Sequence, residues 1–316
     1  MSDRLDLQTL LSDIGDAVPE GHRSGMVALV GRPNVGKSTL LNAILGEKVS
    51  IVTEVPGTTR NAIRGVLTRD HAQIIFLDTP GVAKPRTLLT RRLNDLVRET
   101  WSGVDVICFL VDVGDGVGRG DEFLAEQLGD VRTPKVVVAN KEDLVRGRKK
   151  TLIPRLARLA ELVPDAQIVP TSATDGFNLD ELVEVLIAAL PEGPRLFPGG
   201  IVTDQPERQR AAEILREKLI AGMRDEVPHS IAVTIDEIRP AEHRDDMLEI
   251  EAIIHVERDS QKGIVIGRGG ANLKQASTEA RKEIEVLLGS RVYLSTRVKV
   301  VKEWQRDARK LGRLGY

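Results

Sequence analysis

The run MVALVGRPNVGKST, residues 26–39, sets an apolar strand-forming segment against a turn with glycine at 31 and 36, then Lys37, Ser38 and Thr39 at the head of a helical pattern. This order satisfies G-x-x-x-x-G-K-[ST]. It demands a strand, a tight loop with converging backbone N–H groups, and a helix whose N-terminus carries partial positive charge. The helix is predicted over Lys37–Leu45. Apolar runs recur as IIFLD, VICFLVDV, VVVANK and IVPTSA, with amphipathic segments between several of them. Short buried strands separated by helices imply an α/β domain with a mostly parallel sheet covered on both faces. In such sheets ligands bind beyond the carboxyl ends of the strands, so the informative residues close each run.

The loop of Gly31, Arg32, Pro33, Asn34, Val35 and Gly36 can wrap phosphate oxygens. Lys37 is placed to reach the β and γ phosphates and Ser38 to hold Mg²⁺, with Thr39 next in line. The turn Asp78-Thr79-Pro80-Gly81 closes IIFLD; there Asp78 can hold the metal through water and the Gly81 N–H can meet a γ-phosphate. NKED closes VVVA and offers Asn140, Lys141 and Asp143. The Asp143 carboxylate can accept two hydrogen bonds from guanine N1–H and its 2-amino group, which adenine cannot supply. Left facing adenine, a buried carboxylate would forfeit about 1–3 kcal/mol or more, so the pattern selects GTP over ATP. In TSAT, Ser172 and the Ala173 backbone N–H can support the base from behind. A further glycine-rich stretch, GDGVGRG at 114–120, contains no G-x-G-x-x-G and is expected to be an idle, flexible loop.

In order and placement these elements resemble the translation-factor class of P-loop GTPases: G-x-x-x-x-G-K-S, D-x-x-G, N-K-x-D and S-A. The resemblance implies a metal-binding threonine in VPGTTRN, residues 55–61, at Thr59 by position, with Thr58 as the alternative. Lys37, Thr59, Gly81 and Asn34 are then the expected catalytic set, and Ser38, Thr59 and Asp78 the metal set. Val82 stands where many relatives carry a water-orienting glutamine, and an aliphatic side chain can neither donate nor accept. Relatives with this feature recruit K⁺ through a phosphate-loop asparagine, matched here by Asn34. Slow basal hydrolysis stimulated by K⁺ is the expectation.

At 316 residues the chain is long enough for two domains. The expected layout is an N-terminal extension over 1–24, a GTPase domain over 25–192, a Pro/Gly-rich linker over 193–204, and a second domain over 205–316. The first 24 residues lack the basic start and apolar stretch of a secretory signal. No apolar run approaches the ~20 residues needed to cross a bilayer. The single cysteine, Cys108, lies inside VICFLVDV and reads as a core thiol, which suits a reducing cytoplasm. Five scattered histidines show no metal-ligand spacing. The net charge of −2 hides an asymmetry: from Arg258 onward 14 basic and 6 acidic residues give +8, leaving −10 for the rest. Such a basic end is the electrostatic footprint of a nucleic-acid binder, although a solvated basic face is the bland alternative.

The second half reads as a helix opened by a capping box from Asp204 to Glu207, with Ala211, Ile214, Leu215 and Leu219 on its apolar face. Two strands follow, SIAVTIDEI and LEIEAIIHVE, the second placing His255 on the outer, solvent side. After GIVIGRGG comes a long helix with Leu273, Ala276, Ala280, Ile284 and Leu287 along one side. A last strand, RVYLSTRVKV, points Arg291, Arg297 and Lys299 outward. The order helix, strand, strand, helix, G-x-x-G, helix, strand resembles the type II KH domain, an α+β RNA-binding module. That likeness implies a phosphate clamp at Gly267, Arg268, Gly269 and Gly270. Bases would lie on an aliphatic groove near Ile264, Val265 and Ile266, with Lys274 beside it. Aromatics at 3% argue against an RRM, whose strands need them for stacking.

A G domain followed by a type II KH domain resembles the Era family of bacterial ribosome-assembly GTPases. GRPNVGKSTLLNAILG, DTPGV, VTDQPER, REKL, EVPHSIAV, IVIGRGG, EARKEIE and the ending RKLGRLGY carry the likeness. It implies GTP/GDP and Mg²⁺ as ligands, a monomer that binds 16S ribosomal RNA near its 3′ end, and assistance to small-subunit maturation. It further implies a cytoplasmic protein in peripheral contact with the inner membrane. The extra N-terminal segment departs from the family, as does Pro56-Gly57 before Thr58, which resembles sister GTPases more closely. A tRNA-modification GTPase and a noncatalytic RNA adaptor are the rival readings.

Overall fold

The computed structural model describes residues 18–82, 85–223, 226–242 and 244–316, apart from the side chain of Asp245. The expected extension over 1–24 therefore lies outside the described residues as far as residue 17. The chain divides into two compact units. One takes the described residues up to Ser50, those from Thr59 to 82, and Leu93–Asp204; the other takes Ile51–Thr58, 85–92 and Gln205–Tyr316.

The first unit is built on six strands: β1 (Arg23–Val30), β2 (Ile63–Thr68), β3 (Ala72–Asp78), β4 (Val106–Asp112), β5 (Lys135–Asn140) and β6 (Gln167–Pro170). They lie in the order β2-β3-β1-β4-β5-β6, all parallel except β2, which runs antiparallel to β3. Helix α1 (Lys37–Leu45) follows β1, and α2 (Leu88–Ser102), α3 (Arg119–Gly129), α4 (Lys149–Leu162) and α5 (Leu179–Ala189) follow in turn. Alternate residues of each strand feed opposite cores. Val27, Leu29, Cys108 and Leu110 pack with Leu40, Leu41, Leu182 and Leu186 on one face. Ala28, Val30, Ile107 and Phe109 pack with Trp101, Leu124 and Leu159 on the other. Such two-sided burial explains why the strands read as unbroken apolar runs.

Strand β2 escaped the sequence pattern. IRGVLT carries an arginine and a glycine, and as an edge strand it buries only part of its surface. The Pro/Gly-rich stretch after α5 is fastened to the first unit rather than slack. Its Leu196 and Phe197 N–H groups donate to Gln73 Oε1 at 2.7 and 2.8 Å, and Ser24 Oγ donates to Pro194 O at 2.6 Å.

In the second unit α6 (Glu207–Ala221), the one-turn α7 (Val227–Ser230), α8 (Asp259–Ile266) and α9 (Ala271–Leu288) accompany a sheet of β7 (Ala232–Ala241), β8 (Arg244–Val256) and β9 (Arg291–Val300). β7 pairs antiparallel with β8, and β8 pairs parallel with β9 across the α8–α9 crossover. Ala211, Leu215, Leu219, Ile250, Ile254, Val265, Ala280 and Ile284 form the core. A short α10 (Ala308–Arg313) is capped by Asp307, which accepts from the Arg309 and Lys310 N–H groups. Trp304 is buried, donates to Ser230 O at 3.0 Å and stacks on Tyr316. The loop Ile51–Thr58 belongs to this unit through α6: the Val52 N–H donates to Glu217 Oε1 at 2.9 Å, and the buried Arg216 donates to Thr58 O.

Three local expectations fail. Asp204 does not cap α6, whose N-cap is Pro206 two residues later; its carboxylate pairs instead with Arg64 at 2.8 Å. Leu288, rather than Leu287, packs into the core, because it continues the i, i+4 row of Ala276, Ala280 and Ile284. His255 is only 8% exposed, with Nε2 2.9 Å from Thr234 Oγ1. Its neighbours on the outer face cover it, and burial, with Lys299 adding, pushes the imidazole down to about 4.

Candidate functional site: a phosphate loop, a base pocket and a glycine turn

Parallel pairing brings the ends of β1, β3, β5 and β6 to one edge of the sheet, with Leu29 opposite Asp78 and Ala139 opposite Pro170. The ends of these strands, the segments that follow them and the start of α1 hold every GTPase residue expected from the sequence except Thr59. Asn34 is exposed at φ 64°, and Gly36 turns the chain into α1 at φ 99°. Val35 and Thr79 contribute no side chain to this edge. Val35 sits in the core, and Thr79 Oγ1 donates to Leu29 O at 2.8 Å. Arg32 points away from the loop, its Nε donating to the buried Asp121 at 2.8 Å. The glycine stretch expected to be idle thus packs against the phosphate loop: Gly118 is the N-cap of α3, and Gly120 abuts the Arg32 side chain.

The Lys37 ammonium is buried and donates to Gly31 O at 3.1 Å and Arg32 O at 3.0 Å. Desolvation pushes it down to about 8 against the opposing charge of Asp78. Ser38 Oγ donates to Asp78 Oδ2 at 2.6 Å and lies 3.1 Å from Thr59 Oγ1. Thr58 instead spends its hydroxyl on Val55 O at 2.7 Å. Burial raises the Asp78 carboxyl, while Lys37 and hydrogen bonds from Ser38 and Ser50 oppose the rise. Asp78 Oδ1 is buried without a hydrogen-bond partner. The Ser38 and Thr59 hydroxyls and the Asp78 carboxylate, with its unpartnered Oδ1, are hard oxygen donors of the kind that suit Mg²⁺. Among the described residues no cluster of three or more His, Cys, Asp or Glu side chains could hold a metal.

At the base end Asn140 ties two segments together. Its amide donates to Val35 O at 2.8 Å and accepts from the Ala173 N–H at 3.3 Å, so that N–H serves Asn140. Lys141, at φ 63°, reaches Asp112 at 2.7 Å. Ser172 Oγ lies 3.1 Å from Thr174 Oγ1. Asp143 Oδ1 is buried and unpartnered, a carboxylate oxygen that a donor must satisfy. Sequence reading missed Arg146, which pairs with Glu142 at 2.7 Å and Asp175 at 2.8 Å and lies over the Phe177 ring, bridging the segments after β5 and β6. It also missed Asp112, Asp121 and Ser50, none of which stands in a motif.

In the second unit the turn Gly267-Arg268-Gly269-Gly270 joins α8 to α9 with its three glycines at positive φ and Arg268 exposed. Asn272 braces the turn by donating to Ile264 O at 3.0 Å. Val265 must be struck from the expected groove: it is 0% exposed and part of the core, whereas Ile264 beside it is open to solvent. The groove found here, about 420 Å³, lies between α9 and β9 and is lined by Gly270, Leu273, Lys274, Ser277, Thr278, Arg281, Tyr293, Leu294 and Thr296. Tyr293, an exposed aromatic on β9, was not anticipated.

Cys108 is fully buried, and burial drives its thiol far up, so it is no nucleophile. Among the described residues no helix is long and apolar enough to cross a membrane.

Known proteins share this arrangement. Residues 26–141 match the model of the 50S ribosome-binding GTPase family, and residues 226–305 match the KH domain. GTPase Era of Mycobacterium sp. (strain JLS) is 53% identical over 93% of this chain and 99% of its own length. That of Mycobacterium tuberculosis (strain ATCC 25177 / H37Ra) is 53% identical over 93% and 98%. Among solved structures, Era in complex with MgGDPNP and nucleotides 1506–1542 of 16S ribosomal RNA superposes at a TM-score of 0.90, with 43% identity, covering 93% of this chain and 99% of that one. An Aquifex aeolicus Era variant bound to GDP.AlF4⁻ superposes at 0.88, with 43% identity and the same coverage. With its phosphate loop, base pocket and glycine turn in a GTPase unit and a KH unit, the chain belongs to the Era family and is a GTPase.

Proposed function

We propose that this GTPase is a switch that grips 16S ribosomal RNA near its 3′ end through the KH groove and assists maturation of the small ribosomal subunit. The observation that carries the nucleotide half is Asp143, whose buried Oδ1 has no partner until a guanine edge supplies one. Lys37, now donating to loop carbonyls, turns to the β and γ phosphates, and Gly81 presents its N–H to the γ-phosphate. Magnesium, when bound, neutralises charge on the phosphate oxygens. Ser38, Thr59 and Asp78 hold it, Thr59 being the threonine that faces Ser38. Val82, packed against the core, orients no water, so basal turnover is slow and K⁺ held at Asn34 accelerates it. GTP biases the switch only by its difference in affinity for the two loop states.

For the RNA half, the exposed Arg268 and the glycine turn clamp phosphates while the α9–β9 groove takes bases. The protein acts as a monomer in the cytoplasm, with peripheral contact at the inner face of the membrane. The test is Arg268→Asp with Gly269→Asp, which sets two carboxylates against phosphates. Filter binding to a 16S 3′-end transcript should be abolished while GDP affinity and K⁺-stimulated turnover stay near wild type. Unchanged RNA affinity refutes the clamp.

A further inference from the structure

Three hydroxyls form a chain at Asp78, and two of them donate to its carboxylate. Ser38 and Thr59, 3.1 Å apart, were expected at this site; the third is Ser50, 1% exposed, whose Oγ donates to Asp78 Oδ2 at 2.8 Å. No motif names Ser50, yet its placement is built from both sides. Asn42 on α1 accepts from the Val49 and Ser50 N–H groups at 3.0 Å each, and its amide donates to Ser50 O at 2.7 Å. Asn42 lies one helical turn beyond Ser38 on the same face of α1, so one helix presents the first hydroxyl and anchors the backbone of the third. Both serines donate to the same carboxylate oxygen, Oδ2, and Oδ1 is left buried with no hydrogen bond.

We infer that Ser50 is a positioning residue of the metal site: by donating to Asp78 Oδ2 together with Ser38, it holds the carboxylate with Oδ1 left for the cation shell. The inference rests on the reading of Ser38, Thr59 and Asp78 as the Mg²⁺ site. Without Ser50, one hydroxyl must both bind the cation and hold the carboxylate, and Asp78 is free to rotate. The cost falls on metal affinity and not on the contacts between phosphate loop and nucleotide.

The test is the dissociation rate of GDP from the full chain as a function of Mg²⁺ concentration, with a parallel measurement in EDTA. Ser50→Ala should raise the Mg²⁺ concentration for half-maximal GDP retention about tenfold, equivalent to ~1.4 kcal/mol. Its rate in EDTA should equal that of the wild type. Asn42→Ala, which loosens the same hydroxyl through its backbone, should shift the midpoint in the same direction. Midpoints within twofold of wild type in both variants would overturn the role of Ser50. So would an equal acceleration with and without metal, which marks a loop scaffold. If the wild type itself shows no Mg²⁺ dependence, or Asp78→Asn leaves that dependence intact, the metal-site reading fails instead.

Discussion

Substituting Gly36 with alanine tests how tightly the phosphate loop is locked to the base pocket. At φ 99° a side chain is strained whatever the space around it, at a cost of about 1–2 kcal/mol. The added Cβ would also stand 2.4 Å from Asn140 Nδ2, far inside contact distance. That amide cannot swing aside freely, because it is buried, donates to Val35 O at 2.8 Å and accepts from the Ala173 N–H. Displacing it strands buried polar groups at about 1–3 kcal/mol. The sum, ~2–5 kcal/mol, is a large part of the roughly 5–15 kcal/mol that holds a domain folded. Gly46→Ala is the control: Gly46 also has positive φ, 67°, but nothing lies within 4 Å of its Cβ position, so only backbone strain applies. Urea unfolding monitored on the first unit should show Gly36→Ala losing about 1–3 kcal/mol more than Gly46→Ala. GDP affinity should fall at least about tenfold in the former alone. Equal losses in the two variants, or wild-type GDP binding by Gly36→Ala, would refute the lock through Asn140.

Two further outcomes follow within the second unit. Arg216 is fully buried and pairs with Glu213 at 2.5 Å, so Arg216→Met alone should cost about 3–5 kcal/mol in urea unfolding of the full chain, whereas Glu213→Leu with Arg216→Met should recover the part due to the stranded carboxylate and not that due to the lost bond to Thr58 O. His255 stays neutral to about 4 when folded but titrates near 6.5 when unfolded, so between those values the unfolded chain binds more protons. The unit should keep full stability above pH 6.5 and lose it as pH falls toward 4. His255→Gln should flatten that loss, which unfolding midpoints at pH 7 and 5 would check.

The parallel sheet was legible because its strands are buried on both faces and end in contiguous motifs. Apolar runs and loop patterns are properties of neighbouring residues, and neither needs a partner to be seen. Strand β2 was not legible, since an edge strand with Arg64 and Gly65 lacks such a run. Val265 illustrates the reverse error: it stands in an aliphatic run beside the glycine turn, but the helical period sends it inward while Ile264 faces out. His255 followed the strand alternation and still failed to be a surface residue, because alternation fixes a face and not what covers it.

The motifs proposed to meet phosphate, guanine and RNA were legible in the order and spacing of the chain, since each is a contiguous run that needs no distant partner to be seen. Which threonine meets Ser38, why Asn140 is a brace, and how Ser50 reaches Asp78 were decided only by folding. Those relations join residues 21, 105 and 28 positions apart, and side-chain partners at such separations follow from packing and not from local pattern. The same holds for the loop Ile51–Thr58, which lies among GTPase motifs in sequence and is secured by Arg216 and Glu217 of α6.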